Sequence, residues 1–174
     1  MANTCRTEVK IQGTEDAIKY FVSRYENCND KEYPNTQDTP HIVDVFGAEA
    51  ENFIDRVGSK WVKKYDDYQS DDNTFEFSLE SAWYPPSDML KEMHRQLVAI
   101  DPDIIFTARY WDEAYDPIGV IKITDASQYL TLEEVPMSED EYRDEYPDDE
   151  NMDDYYDQEI EWLFGDLERK LRIA

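Results

Sequence analysis

The chain contains few residues of several kinds that catalytic and cofactor sites commonly require. It has two cysteines, two histidines and five glycines among 174 residues. Two cysteines are too few for a disulfide framework, and neither belongs to a CxxC pair. No P-loop, GxGxxG or HExxH motif is present. Nucleophilic catalysis needs a nucleophile beside a base, and the spacing of Cys5, Cys28, His41 and His94 indicates no such pair. We therefore expect neither an enzyme nor a bound cofactor.

The sequence also lacks long hydrophobic segments. No apolar run approaches 18 residues, and no apolar segment follows Met1. A membrane-spanning helix needs about 20 predominantly apolar residues, and a secretory signal peptide needs an apolar region near the N-terminus. The sequence therefore predicts a cytoplasmic protein that does not associate with a membrane.

Basic residues are scarce relative to acidic ones. The chain has 17 Lys and Arg against 42 Asp and Glu, which gives a net charge of −25. Such a charge repels nucleic acid and anionic lipid and attracts basic surfaces. The acidity alone is also compatible with a role in solubility or with adaptation to high salt. We therefore expect no direct binding of nucleic acid.

The negative charge is concentrated in residues 133–161. This acidic tract contains 15 acids and one base, Arg143, so more than half of the net charge lies in one sixth of the chain. A run of like charges is usually a disordered, solvating tail. Such tails are poor in aromatic residues, whereas this tract contains Tyr142, Tyr146, Tyr155 and Tyr156. The tyrosines favour a surface that binds a partner over a passive tail.

Residues before the tract alternate between strand and helix patterns. Phe75, Phe77 and Leu79 alternate with polar residues, which is typical of a half-buried strand. Ile18, Phe21 and Tyr25 follow helical spacing after the N-cap candidate at position 14. The predicted order is strand, helix, strand, strand, helix, strand, strand, over residues 7–13, 14–25, 59–68, 74–83, 86–100, 104–111 and 118–123. A short helix is also predicted over residues 48–57.

This order predicts an α+β fold with a ferredoxin-like split β-α-β-β-α-β sandwich and an extra strand. From residue 153 onward, apolar side chains recur at helical spacing, so the acidic tract is expected to end in an amphipathic helix. We expect that helix to pack on the sheet of the same chain. The predicted domains are residues 1–130, a ferredoxin-like α+β domain, and residues 131–174, the acidic tract and the C-terminal helix.

Three segments, VGSKWV, SAWYPPSDML and YWDEAYDPIGV, resemble the YubB-type ferredoxin-like domain family of phage and plasmid proteins. The matching positions are Gly58, Lys60, Trp61, Trp83, Pro85 and Pro86. The resemblance covers about residues 5–125 and implies a fold and a mobile-element origin. It implies no activity and no catalytic residues.

A carboxylate-rich, tyrosine-bearing surface can offer the basic groups of a DNA-binding protein what phosphates normally offer. The tract therefore predicts a DNA mimic that blocks a basic nucleic-acid-binding host protein. A CRISPR effector, restriction enzyme or nuclease is the target class that the family resemblance implies. The predicted partner-binding residues are Asp140, Glu141, Tyr142, Asp144, Glu145, Tyr146, Asp148, Asp149, Glu150, Asp153, Asp154, Tyr155, Tyr156 and Asp157.

Two other interpretations of the sequence remain open. A small-ligand or peptide-binding module would place Lys60, Trp61, Trp83, Asp112 and Glu113 around a pocket and leave the tract as a solubilising surface. A calcium site is suggested by the DENMD segment, which matches the start of an EF-hand loop. However, the required glycine is replaced by Asp154 and the twelfth-position Glu by Ile160. We therefore predict no dedicated metal site.

Overall fold

A six-stranded antiparallel sheet organises the described part of the chain. The computed structural model describes residues 3–29, 39–125, 129–146 and 152–173. The strands are β1 (Thr4–Gln12), β2 (Val62–Ser70), β3 (Thr74–Ala82), β4 (Ile105–Asp112), β5 (Ile118–Ile123) and β6 (Tyr129–Glu134). Their order across the sheet is β2-β3-β1-β4-β5-β6, and all neighbouring strands are antiparallel. The predicted α+β class is confirmed.

Four helices precede the last three strands in the chain. They are α1 (Glu15–Glu26), α2 (Ile42–Phe46), α3 (Phe53–Val57) and α4 (Ser87–Val98). The predictions of α1 and α4 are confirmed. The single helix predicted over residues 48–57 is shorter, because Asn52 caps α3 by accepting from the Asp55 amide. The helix α2 was not predicted, although His41 and Asp44 form a capping box at its start.

The main core packs these helices against one face of the sheet and is rich in aromatic rings. The ring of Phe21, on α1, lies 4.8 Å from that of Phe46 and 5.4 Å from that of Phe75, measured between centroids. Phe77 and Phe106 lie 5.6 and 6.4 Å from the same ring. Phe21 is fully buried. Offset and edge-to-face rings at these distances add to the stabilisation that comes from burying their area.

Two further helices follow the sheet, α5 (Glu139–Glu145) and α6 (Met152–Ile173). The apolar stripe of α6 packs on β5 and β6 and forms a second, smaller core. The buried members of this α6 core are Ile118, Val120, Tyr156, Ile160, Leu163, Phe164, Leu167 and Leu171. Because Ile121 and Ile123 of β5 belong to the main core, α6 covers the opposite face of the sheet. The predictions that α6 forms and that it packs on its own sheet are confirmed.

The segment that begins the acidic tract is more ordered than the sequence indicated. Residues 129–134 form β6, which pairs with β5 from Ile118–Glu134 to Ile123–Tyr129. The boundary predicted at residue 130 therefore falls inside a strand of the sheet. Gly119 on β5 makes room for the ring of Tyr110, because a Cβ at this glycine would lie 2.2 Å from Tyr110 Cζ. The Tyr110 hydroxyl can thus donate to Glu133 on β6.

Candidate functional site

A cluster of tyrosine rings fastens α5 to α6. The Tyr142 ring lies 4.8 Å from the Tyr146 ring and 5.7 Å from the Tyr156 ring, between centroids. Tyr156 also contacts Tyr115 from the β4–β5 turn, at 6.4 Å. Its hydroxyl donates to the Met137 carbonyl over 3.1 Å. The acidic helix α5 is therefore connected to the sheet through tilted and edge-to-face ring contacts.

Exposed carboxylates surround this cluster. We call the acidic surface six exposed residues of α5, its C-cap and the first two turns of α6, namely Asp140, Asp144, Glu145, Tyr146, Asp154 and Asp157; Glu141 and Arg143 on α5 are exposed as well. Tyr146 keeps 47% of its surface accessible. Val135 and Met137, which lead into α5, are 65% and 37% exposed. Apolar and aromatic contact area thus accompanies the charges, as a specific protein interface requires.

The helix α5 begins at a capping box. The Ser138 hydroxyl accepts from the Glu141 amide over 3.3 Å, and the Glu141 carboxylate accepts from the Ser138 amide over 3.0 Å. Hydrogen bonding to Ser138 lowers the pKa of Glu141. The Ser-x-x-Glu spacing was visible in the sequence and would have predicted this helix. Glu141 is exposed, but its carboxylate already stabilises the start of α5.

Two residues of the predicted set have roles inside the fold. Tyr156 is 7% exposed and belongs to the α6 core, which corrects its assignment as a surface residue. Tyr156 is buried because it lies in the apolar stripe of α6. Tyr142 is half-buried between Tyr146 and Tyr156, so only part of its surface is available to a partner.

The remaining predicted residues divide into two groups. Asp153 and Tyr155 lie on the first turns of α6. Asp148, Asp149 and Glu150 lie outside the described residues, and so does part of the DENMD segment. Among the residues that the structure does describe, no group of three or more His, Cys, Asp or Glu side chains is arranged to hold a metal ion.

An arginine on the sheet anchors the middle of α6. Arg109 on β4 donates through Nε to Glu168 over 2.6 Å and through Nη1 to Glu161 over 3.0 Å. Its guanidinium carbon lies 5.2 Å from the centre of the Phe164 ring. The hydrogen bond to Glu168 raises the pKa of Arg109. Glu161, the last acid of the tract, therefore serves docking of the helix, and Glu133, the first, serves contact with Tyr110.

The residues predicted from the sequence to line a tryptophan pocket make other contacts in the structure. Trp83 is 47% exposed and has the Lys60 ammonium 5.6 Å from its ring centre. Asp112 is buried, and its Oδ1 accepts from the Ala114 and Asp116 amides, each over 2.9 Å. Asp112 therefore shapes the β4–β5 turn. Neither Trp61 nor Trp83 lines the groove on the sheet face beside α6.

A groove of about 900 Å³ lies on the part of the sheet face that α6 leaves uncovered. Its charged lining is cation-rich and consists of Arg6, Lys10, Arg109, Lys122 and Arg172 with Glu8, Glu76 and Glu168. Lys10 pairs with Glu76 over 2.6 Å, and Arg6 with Glu8 over 3.5 Å. The groove therefore differs in sign from the acidic surface, although α6 borders both.

The cysteine thiols are not arranged for catalysis. Burial raises the pKa of Cys5 to about 12 and that of Cys28 to about 11. A thiol acts as a nucleophile in its ionised form, so neither is activated at neutral pH. Burial also lowers the pKa of His94, whose Nε2 lies 3.1 Å from the Ile104 carbonyl.

Comparison with known proteins found no matching family model, no similar curated protein and no similar solved structure. The YubB-type resemblance therefore stays a prediction. Within the described ranges, no helix has both the length and the apolar character needed to cross a membrane.

Proposed function

We propose that this chain is a non-enzymatic, cytoplasmic inhibitor that mimics DNA and blocks a basic nucleic-acid-binding protein. The observation that supports the proposal best is the acidic surface itself. Its carboxylates lie on helices that a tyrosine cluster fastens to the sheet. An ordered array of charges can match a partner's basic groups at fixed distances, which a solvating tail cannot do.

The spacing of the carboxylates supports mimicry of a phosphate backbone. Asp140 and Asp144 are four residues apart on α5, which corresponds to about 6 Å along the helix axis. Single-stranded DNA presents one phosphate per about 3.4 Å, so one helical face offers charges at about every second phosphate. Asp154 and Asp157 on α6 add a second row. A carboxylate, like a phosphate, accepts the paired hydrogen bonds of an arginine.

Tyr146, Val135 and Met137 add aromatic and apolar contact area beside the charges of the acidic surface. Exposed ion pairs accelerate association but contribute little affinity that survives salt. Aromatic and apolar side chains at the same surface can lose water on binding and give a specific complex. Their exposure next to α5 therefore supports binding of a folded protein over a purely electrostatic role.

The fold and origin form the second part of the proposal. The order β2-β3-β1-β4 with α1 and α4 as connections supports a ferredoxin-like split β-α-β-β-α-β unit. In this arrangement β5 and β6 are additional strands next to β4, and α6 packs on them. A YubB-type mobile-element protein would act on host defence, so CRISPR effectors, restriction enzymes and nucleases are the proposed targets.

A charge-reversal experiment with a matched control tests this function. The test variant changes Asp144, Glu145, Asp154 and Asp157 to lysine and leaves the capping residue Glu141 intact. The control variant changes Asp16, Glu49, Asp72 and Asp103, which are exposed acids elsewhere, to lysine. Both variants change the net charge equally. Circular dichroism checks that each one folds.

Each protein is used as bait in a bacterial lysate at about 50 and 500 mM salt, a range over which screening of exposed charges becomes strong. We expect the wild type and the control to retain a nucleic-acid-binding protein at the lower salt and the test variant to lose it. Added DNA should release the captured protein, because the proposal requires one shared site. Equal retention by test and control variants, or retention that DNA does not affect, would contradict it.

A further inference from the structure

An exposed tryptophan lies on the outer face of α6. Trp162 is 63% exposed, while the apolar stripe that includes Ile160, Leu163 and Phe164 faces the sheet. Burying the indole inside this fold is therefore not what holds α6 in place. Single exposed apolar side chains are ordinary on protein surfaces, so a role for Trp162 depends on the contacts and charges around it.

Three other exposed or half-buried rings of this protein have a cation from the same chain close to the ring. Lys60 lies 5.6 Å from the Trp83 ring centre, Arg24 lies 5.3 Å from that of Tyr20, and Lys91 lies 4.8 Å from that of Tyr129. Within the ranges that the structure describes, no cation and no second ring stacks on Trp162. The exposed surface of its indole is thus available to a partner.

The neighbours of Trp162 favour a cationic partner. Asp154, Gln158 and Glu159 lie before it at helical spacing, and Asp166 and Arg169 lie after it. Glu161 precedes it directly and pairs with Arg109. The two closest bases along α6, Arg169 and Lys170, both bind Asp166.

Gly165, one turn after Trp162, lies in open space. A Cβ at this position would meet no atom within 4 Å, so no side chain covers this part of the helix surface. Negative charge around an exposed indole is the environment that a positively charged, planar side chain fits best.

We propose that Trp162 stacks on an arginine guanidinium of the bound partner and so makes the surface selective for arginine over lysine. This proposal rests on the proposed function and names the chemistry of its partner. Arginine is planar and less strongly hydrated than lysine, and it stacks on aromatic faces while donating to a carboxylate. Proteins that bind single strands use aromatic side chains and arginines to stack bases, and the indole would occupy the place of such a base.

Two synthetic peptides of equal charge, octa-arginine and octa-lysine, test this selectivity with the full chain. Titration calorimetry at about 50 mM salt compares the wild type with Trp162→Ala, Trp162→Phe and Trp83→Ala. Trp83→Ala is the matched control, because Trp83 is also exposed but already carries Lys60. We expect the wild type to bind octa-arginine at least about threefold more tightly than octa-lysine, the factor that an exposed cation–π contact supplies.

Trp162→Ala should abolish that preference, Trp162→Phe should keep part of it, and Trp83→Ala should leave it unchanged. A preference that survives Trp162→Ala, or that falls equally in Trp83→Ala, would overturn the role of Trp162. The acidic surface would still stand in that case if the four lysine substitutions at Asp144, Glu145, Asp154 and Asp157 remove binding of both peptides. Failure of the wild type to bind either peptide would overturn both proposals.

Discussion

The two faces of the sheet carry cores of different size and composition. The main core on the α1–α4 face is built from closely packed aromatic rings around Phe21 and contains both cysteines. The α6 core on the other face is smaller and mainly aliphatic. Arg109 reinforces it through Glu161 and Glu168.

The stability of the sheet therefore depends on the main core, whereas the position of the acidic surface depends on the α6 core. The main core connects strands that are far apart in sequence, so its loss removes the sheet. The α6 core connects one helix to the sheet, and the same helix contributes Tyr156 to the cluster that orients α5. The α6 core can therefore open locally while the sheet stays folded.

The largest effect is expected from Phe21→Ala. This change removes a fully buried ring that contacts five others, and such truncations cost about 3–5 kcal/mol of unfolding free energy. Denaturation in urea, followed by circular dichroism, measures the loss. Ile54→Ala serves as the control because Ile54 is 56% exposed and should change stability by less than about 0.5 kcal/mol.

Phe164→Ala should act mainly on α6. The ring is 3% exposed and contacts Trp111 and Arg109, so its removal weakens docking by about 3 kcal/mol. Hydrogen exchange should show lost protection over residues 152–173, retained protection in β1 and β3, and weaker capture of the partner. Uniform loss of protection in both regions would contradict the separation of the two cores.

We expect the buried thiols of the main core to make the protein less stable at alkaline pH. Burial raises the pKa of Cys5 to about 12 and that of Cys28 to about 11, above the ordinary value of 9.0. Above about pH 9 the cysteines of the unfolded chain lose their protons, while those of the folded chain keep them. The free energy of unfolding therefore falls as the pH rises. Urea denaturation at pH 8 and 9.5 should show the decrease, and a Cys5→Ala/Cys28→Ala variant should show less of it.

Arg109→Met should have a smaller effect than loss of Phe164. It removes two partly exposed ion pairs with α6, which we expect to cost about 1 kcal/mol. Hydrogen exchange in α6 should accelerate modestly, and added salt should reduce the difference from the wild type. Arg95→Met, which breaks the pair with Glu92 within α4, is the control and should leave hydrogen exchange in α6 unchanged.

The smallest effect on partner binding is expected from charge reversal in the groove. Lys122→Glu and Arg172→Glu lie on the cation-rich lining, away from the carboxylates proposed to bind. Capture of the partner should change by no more than about twofold, as for peripheral charges. A loss as large as that caused by reversing the acidic surface would move the site to the groove.

Local sequence patterns predicted the elements whose signals are strong. Alternation of Phe75, Phe77 and Leu79 predicted β3, and helical spacing from Ala17 to Tyr25 predicted α1. The strand β6 was missed because its acids were assigned to the tract, although YLTLEE alternates apolar and polar residues. The helix α5 was missed because like charges outweighed the capping box of Ser138 and Glu141.

The sequence by itself determined the net charge, its concentration in residues 133–161, and the apolar stripe of α6, since these depend on composition and local spacing. Only the tertiary structure decided which of those residues are available to a partner. Glu133 meets Tyr110 and Glu161 meets Arg109 across 23 and 52 residues of chain. Tyr156 is buried while Tyr146 and Trp162 are exposed. These outcomes depend on which face of each helix packs on the sheet, and contacts distant in sequence determine that packing.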